Sequence, residues 1–232
     1  MKKILLITLI MTSTNSYSAA GHNAVSNPVD LIPAGYTVVA KSVGDLNKDK
    51  QDDYVFIIKS TNKNEIVHDE QRGELDRNRR GIIIALRDGD KYRLTAKNLD
   101  CFSSENEDGG VYYAPELDVG ITKGNLDVSY SHGRYGYWSY TFRFQHGKFE
   151  MIGYDSSEDR GPVIERVTSI NFSTQKMLFK ENTNLDAESG DEQFKETWTK
   201  IPTDKLIDLE KIHDFDGLDR ESLLDMVRRS KN

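Results

Sequence analysis

The sequence predicts a mainly β protein: antiparallel sheets and hairpins, arranged as a propeller-like fragment, a barrel or stacked sheets, with one C-terminal helix. Three observations predict it. Short runs of β-formers alternate apolar and polar residues. Tight-turn pairs such as Lys123-Gly124 and His146-Gly147 separate those runs. A helix-period apolar stripe is convincing only near the end of the chain.

The elements follow in order. Residues 21–34 are small and polar with Pro28 and Pro33, and read as a flexible N-terminal segment ahead of one β-rich domain over 35–232. Tyr36 to Val43 is a strand. Tyr54 to Lys59 (YVFIIK) is a continuous apolar run, as a central strand buried on both faces requires. Residues 61–80 are highly charged with no periodic apolar face and read as an exposed loop. Ile82 to Arg87 and Lys91 to Lys97 flank the turn Asp88-Gly89-Asp90. Leu117 to Thr122 and Asn125 to Ser131 form the next hairpin, and Tyr135 to Gln145 with Lys148 to Tyr154 the third. In that third hairpin Trp138, Tyr140, Phe142 and Phe144 share one face. Val163 to Phe172 and Lys176 to Lys180 flank Ser173-Thr174-Gln175. Residues 181–192 form an acidic loop before the strand Gln193 to Lys200. The helix, at about 219–230, takes Asp219 as its cap and Leu223, Leu224, Met226 and Val227 as its apolar stripe.

The first twenty residues, MKKILLITLIMTSTNSYSAA, have the form of a secretory signal peptide. Lys2 and Lys3 precede a short apolar stretch, and small residues Ser18 and Ala20 stand at −3 and −1 of a cut. The stretch is too short to span a bilayer, and no other apolar run is long enough. The expected address is therefore periplasmic or extracellular. Removing residues 1–20 takes away two lysines and no acid, so the net charge moves from −7 to −9. That acidity argues against nucleic acid, whose binding rests on Lys and Arg neutralising phosphates. The lone Cys101 excludes an intrachain disulfide framework and a CxxC site.

One motif carries chemistry. Residues 44–55 read GDLNKDKQDDYV, with Asp45, Asn47, Asp49 and Asp53 in a D-x-N-x-D-x-x-x-D spacing. A hard cation such as Ca²⁺ takes six to eight oxygens at about 2.3–2.6 Å. Alternate positions of a tight loop point inward, so Asp45, Asn47 and Asp49 converge. Gln51 would add its backbone carbonyl, and Asp53 would close the shell from the next strand. Three carboxylates crowded together repel one another, and a cation reverses that cost. An EF-hand or dockerin needs an acidic ligand at loop position 12 and usually Gly at position 6; here those are Phe56 and Lys50. The segment resembles the calcium loop of FG-GAP and VCBS-type repeats, usually D-L-N-G-D-G-x-x-D-L-V. It matches at Asp45, Leu46, Asn47, Asp49, Asp53 and Val55, and departs at Lys48 and Lys50. Either Lys50 takes a strained backbone or the loop is looser than in those repeats. The resemblance implies one structural Ca²⁺ in a single copy of the loop. More loosely, GYWSYTFRFQHGKFEMIGYDSS and TSINFSTQKM resemble a group of secreted bacterial β-rich proteins with no assigned activity.

Other clusters carry weaker expectations. His213, Asp214, Asp216 and Asp219 resemble a second ion loop, but Leu218 stands where its fifth position needs an oxygen, so a helix N-terminal acidic cluster is expected. His68, Asp69, Glu70 and Glu74 read as solvated loop charge. His132, Trp138 and the tyrosines around 130–140 suit either core packing or stacking on a sugar or peptide. The sequence holds no G-x-S-x-G, P-loop or H-E-x-x-H. The expected function is thus a calcium-stabilised, non-enzymatic, exported binding or structural protein. A sharper form is an inhibitor or immunity protein steered by its negative charge to a basic periplasmic or cell-wall enzyme. The rival is a periplasmic hydrolase acting on glycan or peptide around a calcium-organised site. A pocket lined by Asp/Glu and the Tyr130–Tyr140 aromatics would favour the rival, a flat acidic face the binder.

Overall fold

The computed structural model describes residues 24–107, 114–203 and 205–229; residues 1–20, read from the sequence as a signal peptide, lie outside them. The chain runs β1 (Tyr36–Gly44), β2 (Asp53–Ser60), β3 (Ile66–Asp69), β4 (Gly73–Asp76), β5 (Arg80–Asp88) and β6 (Lys91–Phe102). It continues through β7 (Glu116–Thr122), β8 (Asn125–Ser131), β9 (Gly136–Gln145), β10 (Lys148–Arg160), β11 (Val163–Asn171), β12 (Lys176–Asn182) and β13 (Phe194–Lys200) to helix α1 (Arg220–Arg229). A four-stranded sheet has the order β1-β2-β5-β6, and a seven-stranded meander runs from β7 to β13; every pairing is antiparallel. Of the arrangements the pattern allows, the chain takes stacked sheets, with no closed barrel.

The turns behave as their residues require. Lys123-Gly124 and His146-Gly147 each place both residues at positive φ (53° and 76°, 54° and 77°), the hairpin geometry whose twist matches the flanking strands. The sheets face each other across one core. Val55, Ile57, Ile82 and Ile84 come from the smaller sheet, and Val128, Tyr140, Phe142 and Met151 from the larger. Trp138, Tyr140, Phe142 and Phe144 do share the inner face of β9. The opposite residues of β2 and β5, namely Phe56, Ile58 and Ile83, pack beneath Ile32, Tyr36 and Leu94 on the outer side. Both strands are therefore buried on two faces, which explains their unbroken apolar runs.

The N-terminal segment is pinned at two places. Val25 bridges Tyr92, and Asn27 caps a 3-10 turn over Pro28–Leu31 in which Pro28 is buried. Residues 61–80 are corrected from an exposed loop to a small hairpin, with β3 pairing β4. Leu75 is buried, and buried Asn78 links Asn62 to Asp76 through its side-chain amide.

The segment after β13 closes the domain. A 3-10 turn (Leu209–Lys211) and the stretch to Leu218 enter the core between the sheets, and α1 follows with Leu223, Leu224 and Val227 buried against it. Asp219 caps α1 by accepting the Ser222 N–H at 2.8 Å. Hydrogen bonding from the Ser222 side chain, and then from its N–H, holds the carboxyl below the usual range, so the stabilisation is present above the ordinary carboxylate pKa and is lost as pH falls through the lower folded value. Asp219→Ala should cost about 1 kcal/mol in urea unfolding at neutral pH, with the difference from wild type fading in acid.

Candidate metal centre

The loop between β1 and β2 leaves Gly44 and re-enters the sheet at Asp53, its cross-strand partner. Leu46 is the anchor, 1% exposed and packed in the main core. Around it the side chains of the four outer residues form one bonded cluster. Asp45 accepts the N–H groups of Asp49 (3.1 Å) and Lys50 (2.8 Å). Asn47 accepts from Asp49 N–H and donates its amide to Asp49 Oδ2 at 2.9 Å. Asp49 accepts the Gln51 N–H at 2.8 Å and the Gln51 amide at 3.2 Å. Lys48 and Lys50 both adopt left-handed backbone, with φ of 66° and 69°. These are the two positions where the resembling repeats carry glycine, so of the two options the strained one is taken, and at both residues.

Asp53 differs from the others. It is fully buried and holds the loop shut: one oxygen accepts the Leu46 N–H at 2.7 Å, the other the Arg87 N–H of β5 at 2.8 Å. Burial raises its pKa above the ordinary value, and the charges of Asp49 and Asp45 raise it further.

The donor chemistry fits a hard divalent cation. Each carboxylate offers about four lone-pair sites, so oxygens that already accept a loop N–H keep capacity for an ion. The loop's carboxylates work against the charge on Asp53, which a cation would reverse. The β7–β8 turn abuts the loop: a methyl group on Gly124 would lie 3.4 Å from the Asp45 carbonyl. The next residue, Asn125, carries a buried Oδ1 with no hydrogen-bond partner. Among the described residues no three His, Cys, Asp or Glu side chains are already drawn together as a metal-holding group. Ligation would therefore need Asp45, Asn47 and Asp49 to close inward over Asp53.

The other candidates have structural partners. Asp216 accepts the N–H and hydroxyl of Ser103 (2.9 and 2.8 Å) and the Tyr130 hydroxyl (3.1 Å). Asp214 pairs with Arg79 at 3.3 Å, and Asp219 caps α1. The 213–219 cluster thus fastens the closing segment to β6 and β8. His68 stands opposite Glu74 in the β3–β4 hairpin, and Asp69 accepts the Gln71 and Arg72 N–H groups of the turn between them. Cys101 is fully buried, and burial pushes its thiol far up, away from thiolate reactivity.

The aromatics divide. Tyr130 and Tyr140 are core residues, with Trp138 stacked on Tyr130 at 5.0 Å. Tyr135 and Tyr137 are 56% and 45% exposed. Together with Glu158, Asp216 and Asp219 these two line a cleft of about 250 Å³ at one end of the large sheet. Sequence spacing hides this cleft, because it joins β9 to a segment about eighty residues away.

Fold and loop together define an antiparallel β protein of two facing sheets and a small β3–β4 hairpin, with an Asp/Asn-rich loop between β1 and β2. No family model, curated protein or solved structure matches this chain.

Proposed function

We propose that the protein is an exported β-sheet binding protein, without catalytic chemistry of its own, whose 45–53 loop takes one structural Ca²⁺. The observation that carries this reading is the loop itself. Asp45, Asn47, Asp49 and Gln51 bond to one another and to the loop backbone, next to a buried Asp53 whose ionised form burial disfavours. Asp45, Asn47 and Asp49 supply side-chain oxygens, and Gln51 its carbonyl. Asp53 supplies charge from below while it fastens the loop to β5. Export rests on residues 1–20. Among the described residues, no helix is long and apolar enough to cross a membrane. The partner is a basic protein, in the sharpest form a cationic periplasmic or cell-wall enzyme, since the exported chain would carry a charge of −9.

A thermal melt in EDTA, then in millimolar Ca²⁺ or Mg²⁺, tests the metal reading. At free Ca²⁺ a hundredfold above Kd the gain is about 2.7 kcal/mol, or roughly 5–10 °C in Tm for a chain of this size. Asp49→Ala removes an exposed ligand, so it should leave the EDTA melt nearly unchanged and lose most of the calcium rise. Equal melts in Ca²⁺ and EDTA would reduce the loop to an acidic turn. Salt-sensitive capture of a basic cell-wall enzyme would support the partner.

The second reading, a hydrolase acting on glycan or peptide, draws on the cleft at Tyr135 and Tyr137. Its carboxylates argue the other way. Asp216 is tied to Ser103 and Tyr130, Asp219 to the helix, and Glu158 to Arg166 at 2.9 Å. Turnover of peptidoglycan or peptide that Glu158→Gln abolishes would reverse the order of the two readings.

A further inference from the structure

We propose that the protein forms a two-fold symmetric dimer in which β13 pairs with β13 of a second copy, antiparallel and centred on Trp198.

The seven-stranded sheet has two edges, and among the described residues only one is covered. At the β7 edge, Ser42 Oγ of β1 donates to the Val119 carbonyl, and Gly44 lies against Ile121. At the other edge, β13 is the last strand, and all seven of its residues are exposed. Trp198 is 64% exposed. Natural edges are usually blunted by proline, bulges or charged side chains, lysine above all, and of these β13 has only the charges of Lys195, Glu196 and Lys200. β13 contains no proline, and its pairing with β12 runs without a register shift from Asn182↔Phe194 to Lys176↔Lys200.

The backbone phase says which groups face outward. Gln193 C=O accepts the Thr183 N–H at 2.7 Å, and Ile201 N–H donates to the Gln175 carbonyl at 2.8 Å. Odd-numbered residues therefore bond inward to β12, and Phe194, Glu196, Trp198 and Lys200 direct their N–H and C=O groups away from the molecule.

Glu196-Thr197-Trp198-Thr199-Lys200 is its own antiparallel complement. Centred on Trp198, the two tryptophans meet, Thr197 meets Thr199, and Glu196 meets Lys200 on both sides. A centre on Thr197 sets Glu196 against Trp198. A centre on Glu196 sets two carboxylates face to face. Of these three centres only Trp198 sets Glu196 against Lys200 on both sides, with outward-facing residues opposite one another from Glu196 to Lys200; Lys195, whose backbone bonds to β12, lies opposite Ile201.

The neighbouring strand favours the same register. Within one chain Lys176 stands directly opposite Lys200, a like-charge pair that costs stability, whereas Glu196 pairs with Lys180 at 2.6 Å. In the dimer the partner's Glu196 lies beside Lys200, so a carboxylate enters the row of lysines. On the same face Leu178 and Trp198 meet the partner's Trp198 and the partner's Leu178 in one apolar row. The result is a closed, isologous pairing that consumes the open edge instead of leaving it to templated aggregation.

Sedimentation velocity over about 1–300 μM, with tryptophan emission followed in parallel, tests this, because a single-strand interface sits at the small, transient end of the size range. The expected result is a concentration-dependent dimer with a blue shift from Trp198; Trp138, the other tryptophan, is already stacked inside. Glu196→Lys or Lys200→Glu alone puts like charges in both rows, and each should weaken dimerisation at least about tenfold. The double exchange Glu196→Lys/Lys200→Glu should recover most of the loss. At low concentration the monomers should differ only by small surface pairs, Glu196→Lys losing its partner Lys180 and Lys200→Glu relieving Lys176, so the loss of dimer is read from sedimentation and not from the melt. A protein that stays monomeric across the range overturns the proposal. So does a dimer that both single variants leave unchanged, or a monomer whose β13 captures only foreign extended peptides.

Discussion

Phe215→Ala should lower stability by about 4 kcal/mol, among the larger losses a single substitution produces. Phe215 is fully buried, and its ring sits 5.0 Å from Phe102, 5.2 Å from Tyr140 and 5.9 Å from Phe142. It thereby joins β6 of one sheet to β9 of the other. Its main chain bonds both ways too: the N–H donates to the Cys101 carbonyl at 3.0 Å, and its carbonyl accepts the Tyr140 hydroxyl at 2.9 Å. Truncation leaves a cavity walled by two sheets that are fixed by their own ladders, so little collapse can fill it. Urea unfolding followed by circular dichroism would report the loss as a lower midpoint at similar slope. A loss under 1.5 kcal/mol would mean the closing segment is not a structural part of the core.

The second large effect is at Asp53. Asp53→Ala orphans the Leu46 and Arg87 N–H groups, at about 1–3 kcal/mol for each buried donor left unpaired. Against this stands relief from a carboxylate whose ionisation burial disfavours. A net loss of about 2–4 kcal/mol in EDTA is expected, together with loss of any calcium effect. The pH dependence separates the two contributions. Because the folded pKa lies above the unfolded value, the native state binds the proton more tightly, and stability in EDTA falls as pH rises through that window. Groups such as Asp219 give the opposite slope in more acid solution. The difference between wild type and Asp53→Asn isolates Asp53: it should favour wild type in acid and shrink as pH rises. A pH-independent difference would show that the carboxyl is not destabilised by burial.

Much of the fold was legible because local signals agreed with it. Positive-φ turn pairs fixed the hairpins, and the alternation of Trp138, Tyr140, Phe142 and Phe144 reported a face that is buried on one side only. The runs YVFIIK and IIIALR marked strands covered twice. What stayed hidden is equally specific. β3 and β4 stand apart from both main sheets, with Leu75 as their one buried apolar side chain, so charge dominates both and no period survives. β6 runs on to Phe102 through a buried Asn98. That residue reads as a strand terminator, yet its amide donates to the Leu209 and Ile212 carbonyls at 3.1 and 2.7 Å. Only the tertiary fold supplies those acceptors.

The acidic loop was legible as a spacing, and the side chains of Asn47, Asp49 and Gln51 bond to one another. The division of labour inside it was not. Asp53 reads as a fifth ligand, whereas its two backbone bonds make it first the clasp between loop and β5. Nor does spacing reveal that Lys48, like Lys50, bears the left-handed backbone. The spacing Leu206, Ile207, Leu209, Ile212, Phe215, Leu218 was the available signal for the closing segment. Its irregular step matches neither strand nor helix.

The late position of that segment has a consequence for how the molecule is made. The two sheets are complete by Lys200, yet part of the core between them, Ile207, Leu209, Ile212, Phe215, Leu218, Leu223, Leu224 and Val227, comes from the segment that follows. Without residues 207–227 the two sheets would meet at the β1–β7 contact but would leave much of their facing apolar surface uncovered. The chain should therefore complete its core only once residues 207–227 are in place. It would then close through contacts of high sequence separation, which form slowly.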